Sequence, residues 1–396
     1  MTTLARWVEV HRLAVAGREA AIARDVGDRV ARVWLRRSRF ADVVALSTAT
    51  LTLGPDAGAL YDLGRAQSNT GQNQQALASY ERALHLYRES GHRGNEAATL
   101  NNIGLAQNRL GNLGQALGYY EQALSIAREV GDRAGEAITL HNIGGVYDRR
   151  GDRRRARDYY GQALLIHREV GDRFGEATTL ISIGSVDDNL GDRQRALDYY
   201  GQALLIQREV GNRAGEAAAL TNIGLAHKRR GDPEQALDYY GQALPIQREV
   251  GDRAGEATTL NNIGAVYGDL GDRERALTHY EQALRIRRDV GDRAGEAASL
   301  NNIGLAYHGL GDRGRALTYY EQALPLIREV GDRAGEAVAR YNMGMLRWME
   351  GDLDQAIGEL ELVVELGRQV GDPNLAADTG MLEHLRNERA KARKAT

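Results

Sequence analysis

Asparagine recurs at intervals of forty residues along most of the chain, each time two residues before a glycine. A carboxamide offers both a donor and an acceptor, so it can hydrogen-bond the backbone of another polypeptide whatever side chains that polypeptide carries. The same group could instead bond a neighbouring helix. We favour ligand contact, because packing alone does not require an amide. The series is interrupted by Ser182 and preceded by Asp62, and it comprises Asn102, Asn142, Asn222, Asn262, Asn302 and Asn342.

Two positions shortly after each asparagine vary most between the repeats, and they are candidates for setting ligand specificity. The first carries Asn108, Asp148, Asp188, Lys228, Gly268, His308 and Trp348, and the next carries Arg109, Arg149, Asn189, Arg229, Asp269, Gly309 and Met349. Four of these residues are cations that could receive acidic side chains of a partner, or could simply be solvated helix ends. They are Arg109, Arg149, Lys228 and Arg229.

One repeat departs from the others. The segment 181–190 replaces the first two asparagine positions with Ile181 and Ser182, and it puts Asp187 where an aromatic side chain normally packs. Drift in a redundant array explains this change, but a local acidic spot at the centre of a binding groove is the alternative that we retain.

Residues that catalysis requires do not cluster in this sequence. No G-x-x-x-x-G-K-[ST] phosphate loop occurs despite 47 glycines. The nine histidines contain no H-E-x-x-H motif, and the chain has no cysteine. Tyr159 and its equivalents could suggest an aromatic platform for single strands, but their regular recurrence marks them as core or rim residues. We therefore predict no enzyme activity, no cofactor and no metal.

A repeat of two helices must position these side chains. Gly-Asp-Arg recurs with a forty-residue period, and the segments 134–150 and 153–170 carry apolar residues at three- and four-residue steps. Between helices, Gly171 suits the left-handed conformation that ends a helix, and Asp172 suits the N-cap of the next. The sequence thus predicts a chain of helical hairpins.

Small residues recur where the two helices of a hairpin would meet. Glycine occupies one position of every first helix although it costs about 1 kcal/mol in helix propensity relative to alanine, which indicates close helix contact. Alanine and tyrosine recur opposite it on the second helix. The glycines are Gly64, Gly104, Gly144, Gly184, Gly224, Gly264, Gly304 and Gly344.

This pattern resembles the tetratricopeptide repeat, in its longer form found in proteins similar to kinesin light chains and the Leu-Gly-Asn-rich adaptors. The resemblance implies an all-α fold, a right-handed superhelical solenoid of helix-turn-helix repeats. It also implies that the first helices line the inner surface and that their asparagines grip the backbone of an extended peptide. Residues 1–56 would form a capping helix and a degenerate repeat, 57–376 eight full units, and 377–396 a final capping helix, ending near residue 386, with a frayed basic tail.

Two prolines fall inside predicted second helices. Pro245 and Pro325 each lack the N–H that would continue the helical ladder, so we expect a kink or an early break at each.

Charge and composition restrict the partners. The 51 basic and 54 acidic residues give a net charge of −3, which provides no general attraction to nucleic acid or to an anionic membrane. The N-terminal stretch contains Glu9, His11 and Arg12, which excludes a secretory or membrane-spanning segment there. We expect a cytoplasmic monomer.

Two functions fit these observations. The first is a non-catalytic scaffold that binds a peptide segment of a partner in the inner groove. The second is the sensor or autoinhibitory arm of a bacterial signalling or transcriptional regulator, because residues 7–35 are similar to the start of arrays that follow the nucleotide-binding switch in actinobacterial regulators. Met1 favours a free-standing chain, and the coding context would decide whether a switch domain is encoded upstream.

Overall fold

The computed structural model describes residues 3–395, and the regular secondary structure in this range is entirely α-helical, as predicted. The chain divides into two units, Met1–Ile206 and Gln207–Thr396, with the boundary inside one helix. The first unit contains α1 (Thr3–Ala16), α2 (Ala20–Arg36), α3 (Phe40–Leu51), α4 (Ala57–Asn69), α5 (Asn73–Glu89), α6 (Arg93–Arg109), α7 (Leu113–Glu129), α8 (Arg133–Arg149), α9 (Arg153–Val170), α10 (Arg173–Asn189) and most of α11 (Arg193–Glu209). The second contains α12 (Arg213–Arg230), α13 (Pro233–Val250), α14 (Arg253–Asp269), α15 (Arg273–Val290), α16 (Arg293–Gly309), α17 (Arg313–Glu329), α18 (Arg333–Met349), α19 (Leu353–Val370) and α20 (Leu375–Ala395).

Turns between the helices follow the predicted chemistry. Gly171 ends α9 in the left-handed conformation, with φ of 71°. Asp172 then caps α10, since its carboxylate accepts a hydrogen bond of 2.9 Å from the backbone N–H of Gly175. A glycine-aspartate pair therefore ends one helix and starts the next within a few residues.

Most hairpins are held by a close glycine-tyrosine contact. Gly144 of α8 lies so near the ring of Tyr160 that a Cβ atom added to the glycine would stand 2.8 Å from Cδ1. Ala156, also buried, packs beside this contact. The same arrangement recurs in most hairpins, but Gly344 faces Leu360 at an ordinary 3.5 Å. The glycine is thus required by the tyrosine that it meets.

Buried glutamates join the second helix of one repeat to the first helix of the next. The carboxylate of Glu136 accepts hydrogen bonds from Arg128 at 2.7 Å and from Arg133. Burial alone would raise the pKa of Glu136, but the two guanidinium groups outweigh it and hold that pKa below its ordinary value. Equivalent clusters recur along each unit and fix the angle between neighbouring hairpins.

The two interior prolines do not break their helices, so the expected early break was wrong. α13 continues through Pro245 to Val250, and α17 continues through Pro325 to Glu329. Both prolines are on the exposed face, where water can bond the carbonyl that has lost its donor, while Ile246 and Ile327 anchor the opposite face in the core.

The expected frayed tail is also incorrect, because α20 extends to Ala395. Arg389 donates a hydrogen bond of 2.8 Å to Asp354 of α19, and Arg393 lies 3.5 Å from the same carboxylate. These ion pairs dock the basic end of α20 on α19. Within residues 3–395, no helix has the combination of length and apolarity needed to cross a membrane.

Candidate binding face

First helices of successive repeats contact one another within each unit, with the second helices packed behind them. We call the surface of these first helices the first-helix face. In the first unit, cavities of 420 Å³ and 210 Å³ open on it between α6 and α8 and between α8 and α10. In the second unit, a cavity of 460 Å³ opens between α14 and α16. Asn102 lines the first of these cavities and Asn302 lines the last.

Three of the six predicted asparagines bond the preceding repeat. The Nδ2 group of Asn142 donates to Oδ1 of Asn101 at 3.0 Å, and Asn302 donates to Asn261 at 3.1 Å. Asn102 donates to the hydroxyl of Tyr61 at 2.9 Å. These amides therefore link neighbouring first helices, and only part of their hydrogen-bonding capacity remains for a ligand.

The other three asparagines differ. Asn222, Asn262 and Asn342 are half-buried on α12, α14 and α18, and they make no side-chain hydrogen bond within residues 3–395. Their donors and acceptors are therefore available to an incoming backbone. For Asn222 and Asn262, the acceptor position of the preceding repeat carries Ile181 or Thr221 instead of asparagine. Asn342 makes no such bond although Asn301 stands at that position, and the Oδ1 atom of Asn301 is buried without a partner.

Predicted cations at the ends of the first helices also contact neighbouring repeats. Arg109 donates to the carbonyl and hydroxyl oxygens of Ser68 at 2.7 and 2.8 Å, and Arg149 donates to Asn108 at 2.6 Å. Lys228 lies 2.9 Å from the carboxylate of Asp269. The fourth cation, Arg229, follows Lys228 on α12 and is exposed.

Asp187 does not form the acidic surface spot that the sequence suggested. Its side chain is 0% exposed and lies between two guanidinium groups, with Arg157 at 3.4 Å and Arg195 at 3.6 Å. Burial raises the pKa of Asp187, and the two arginines only partly oppose this rise. Arg157 was missed in the sequence, although a signal existed, because leucine fills its position in the flanking repeats, at Leu117 and Leu197.

Aromatic stacks occupy the site of Asp187 in other repeats. Tyr147 stacks on Tyr159 with ring centroids 5.4 Å apart, and the guanidinium of Arg155 lies 5.4 Å from the Tyr147 ring. Tyr307 has equivalent contacts with Tyr319 and Arg315. These stacks lie between the first and second helices of the same hairpin.

Asp62 takes the asparagine position of the first full repeat and is buried. It lines a cavity of 350 Å³ with Arg32, Arg65 and Tyr61. Burial raises the pKa of Asp62 to about 7, against the opposing effect of Arg65.

The variable position of Trp348 is covered by the last helix, because its indole N–H donates to Glu388 at 3.0 Å. It is therefore a packing residue of α18 and α20. In the part of the chain that the structure describes, no three histidine, aspartate or glutamate side chains are grouped so as to hold a metal ion.

Comparison with known proteins gives the following relationships. A family model described as tetratricopeptide repeat matches the overlapping segments 55–129, 95–169, 135–209, 175–249, 215–289, 255–329 and 295–369. A sequence search of curated proteins found no match.

Solved structures share the fold at low sequence identity. The apo form of the quorum sensor NprR from B. thuringiensis is 16% identical, with a TM-score of 0.62, and the match covers 82% of this chain and 97% of that chain. A Rap protein complexed with Competence and Sporulation Factor is 16% identical, with a TM-score of 0.59 and coverage of 94% and 99%. A Signal Transduction ATPase with Numerous Domains from Pyrococcus horikoshii, which has a tetratricopeptide repeat sensor, is 13% identical, with a TM-score of 0.65 and coverage of 91% and 54%.

Proposed function

The chain belongs to the tetratricopeptide repeat family, and from this premise we propose that it is a non-catalytic scaffold whose first-helix face binds a peptide segment of a partner protein. The observation that carries the proposal is the set of three half-buried amides, Asn222, Asn262 and Asn342, that lack a partner within residues 3–395. A half-buried amide without a partner is costly unless a ligand or water satisfies it. A peptide backbone supplies both the donor and the acceptor that each one needs.

Cavities beside the asparagines support the same function. Each backbone hydrogen bond contributes a net ~1 kcal/mol, while ordering a peptide residue costs ~1–2 kcal/mol. The amides alone therefore cannot hold a peptide tightly. Side-chain burial in cavities such as the 460 Å³ space beside Asn302 would supply the rest.

Two structural neighbours are consistent with this proposal. One is a Rap protein solved as a complex with Competence and Sporulation Factor, and another is a quorum sensor. For this chain we propose an analogous interaction role in the cytoplasm, as a monomer, with no nucleic acid and no membrane as partner.

A second candidate is the sensor or autoinhibitory arm of a bacterial signalling or transcriptional regulator. The neighbour from Pyrococcus horikoshii, a signal-transducing ATPase with a tetratricopeptide repeat sensor, favours it. The gene neighbourhood tests this candidate, because a nucleotide-binding switch encoded beside this chain, and co-purifying with it, would be expected. Absence of any such switch from the genome would exclude the second candidate and leave the first.

Variants of the unpartnered asparagines test the leading proposal. The chain is used to capture partners from native lysate, and the bound peptide is mapped by crosslinking. Asn222→Ala, Asn262→Ala and Asn342→Ala together should abolish capture with unchanged helical content by circular dichroism, since no internal bond is lost. Gln242→Ala is the matched control, because this amide bonds Asp238 on the second helix α13 and lies outside the first-helix face. Undiminished capture by the triple variant would refute the proposal.

A further inference from the structure

One junction on the first-helix face has an apolar pocket that differs from its neighbours. The 210 Å³ cavity between α8 and α10 is walled by Ile138 and Phe174, and His141 and His167 line it from α8 and α9. Ile138 is 47% exposed and Phe174 is 60% exposed, so both apolar side chains face open space. We call this cavity the His141 pocket.

The preceding junction shows what the ordinary repeat has at this place. Between α6 and α8, forty residues earlier, the equivalents of His141, His167 and Phe174 are Asn101, Ala127 and Ala134. That cavity is larger, at 420 Å³, and amide groups line it. Alanine also stands in place of Phe174 in the four repeats that follow, at Ala214, Ala254, Ala294 and Ala334. Three changes therefore coincide at one junction and convert a polar space into a smaller apolar one.

Several polar groups of the His141 pocket lie close to polar groups of the protein itself. Nδ1 of His141 lies 3.0 Å from Oγ1 of Thr179, and Nδ1 of His167 lies 2.9 Å from Oδ2 of Asp172. The hydroxyl of Thr178 donates to the carbonyl of Phe174 at 3.0 Å. Burial lowers the pKa of His141 to about 4, so this ring is neutral at physiological pH. The carboxylate of Asp172 also lines the pocket, where it accepts a hydrogen bond from the backbone N–H of Gly175. The exposed lining of the pocket is nevertheless predominantly apolar, which disfavours a charged ligand.

We propose that the His141 pocket receives one large uncharged apolar side chain, aromatic or branched aliphatic, of the bound peptide. This inference rests on the proposed peptide-binding function and assigns its anchor. The volume of 210 Å³ corresponds to about seven water molecules, which suits a single side chain and is too small for a folded element.

End-capped amino acids test the pocket without knowledge of the partner. N-acetyl-phenylalanine methylamide and N-acetyl-leucine methylamide are titrated into the full chain, with N-acetyl-glutamate methylamide as the charged comparison. Imidazole Cε1–H signals are followed by NMR and assigned with His141→Asn and His167→Gln, which are residues that other repeats carry at these positions, at Asn101 and Gln207. The two apolar probes should shift the His141 and His167 signals saturably, and the charged probe should leave them unchanged.

Phe174→Ala should weaken the binding of the two apolar probes roughly tenfold. This variant should fold normally, because alanine is the ordinary residue at that position. Leu165→Ala is the matched control, since that leucine is 68% exposed on α9 and lies outside the pocket. Equal shifts with all three probes, or undiminished binding to Phe174→Ala, would overturn the pocket assignment even if partner capture depends on the asparagines. Saturable probe binding combined with capture that ignores the asparagines would instead refute the proposed function and retain the pocket.

Discussion

Replacing Arg157 alone should destabilise the chain, whereas replacing Arg157 together with the buried Asp187 should stabilise it. In several other repeats the position of Arg157 holds a leucine that packs on the same core cluster as the aromatic residue thirty positions later, as Leu237 and Tyr267 do. The pair thus substitutes two charges for one apolar contact. We compare Arg157→Leu, Asp187→Tyr and the double variant.

The structure gives the expected magnitudes. Arg157→Leu alone leaves the fully buried Asp187 with only Arg195 at 3.6 Å. Breaking a buried ion pair costs ~3–5 kcal/mol, but the Arg157 side chain is 41% exposed, so we expect a loss of about 1–2 kcal/mol. The double variant removes the buried carboxylate and can rebuild the stack on Tyr199, which would contribute ~1.5–3 kcal/mol from apolar burial and ~0.5–1.5 kcal/mol from ring contact. It should therefore be more stable than the natural chain by roughly 2–4 kcal/mol.

Hydrogen exchange on peptides from α9 and α10 measures this effect locally, because repeat arrays can open one unit at a time. Urea unfolding followed by circular dichroism gives the global value. Arg157→Leu should speed exchange in α10, whereas adding Asp187→Tyr should slow it below the natural rate. If the double variant is less stable than Arg157→Leu alone, the charges are not a substitute for the apolar contact and the reasoning fails.

Three further predictions concern single substitutions. Gly224→Ala should destabilise by ~1–3 kcal/mol in urea unfolding, since the added Cβ would lie 2.6 Å from the Tyr240 ring, whereas Gly344→Ala, facing ordinary contacts, should be neutral or stabilising. Pro245→Leu should stabilise by ~1–3 kcal/mol by restoring a helical N–H, and unchanged stability would mean that the strain is already relaxed. Burial raises the pKa of Asp62 to about 7 in the folded chain. Its contribution to the free energy of unfolding is therefore fully present below the pKa of the unfolded chain, and it is lost as the pH rises through about 7. Asp62→Asn should thus gain a few kcal/mol in unfolding at pH 8 and little at pH 4, and a difference independent of pH would contradict the buried carboxyl.

Much of the fold could be predicted because its determinants are local or repeat at a fixed period. Gly171 and Asp172 specify a helix end and a helix start within their own segment, and the structure has both. The glycine of each first helix predicts a close neighbour, which Tyr160 supplies for Gly144. Such features need only the sequence of one repeat.

Contacts between repeats could not be predicted in the same way. Aligning the repeats shows that Asp187 is unusual, but not that Arg157 of the preceding hairpin buries it. Likewise, the asparagine series does not show which amides are used internally, since Asn142 bonds Asn101 of the preceding repeat but Asn342 does not bond the equivalent Asn301. The roles of the six predicted asparagines as ligand contacts, and of the four cations, stay predictions.

Recurrence itself limits what the asparagines can do for recognition. Amides bond a peptide backbone whatever its side chains, so they give affinity without sequence preference. A residue set found at one junction has the opposite property. Burying a large apolar side chain contributes about 1.5–3 kcal/mol, and a peptide displaced by one repeat would exchange the His141 pocket for the amide-lined cavity beside Asn101. The loss would be about tenfold or more in affinity, because each 1.4 kcal/mol is a factor of ten. Register, and with it the identity of the bound segment, would therefore be set where the repeats differ and not where they agree.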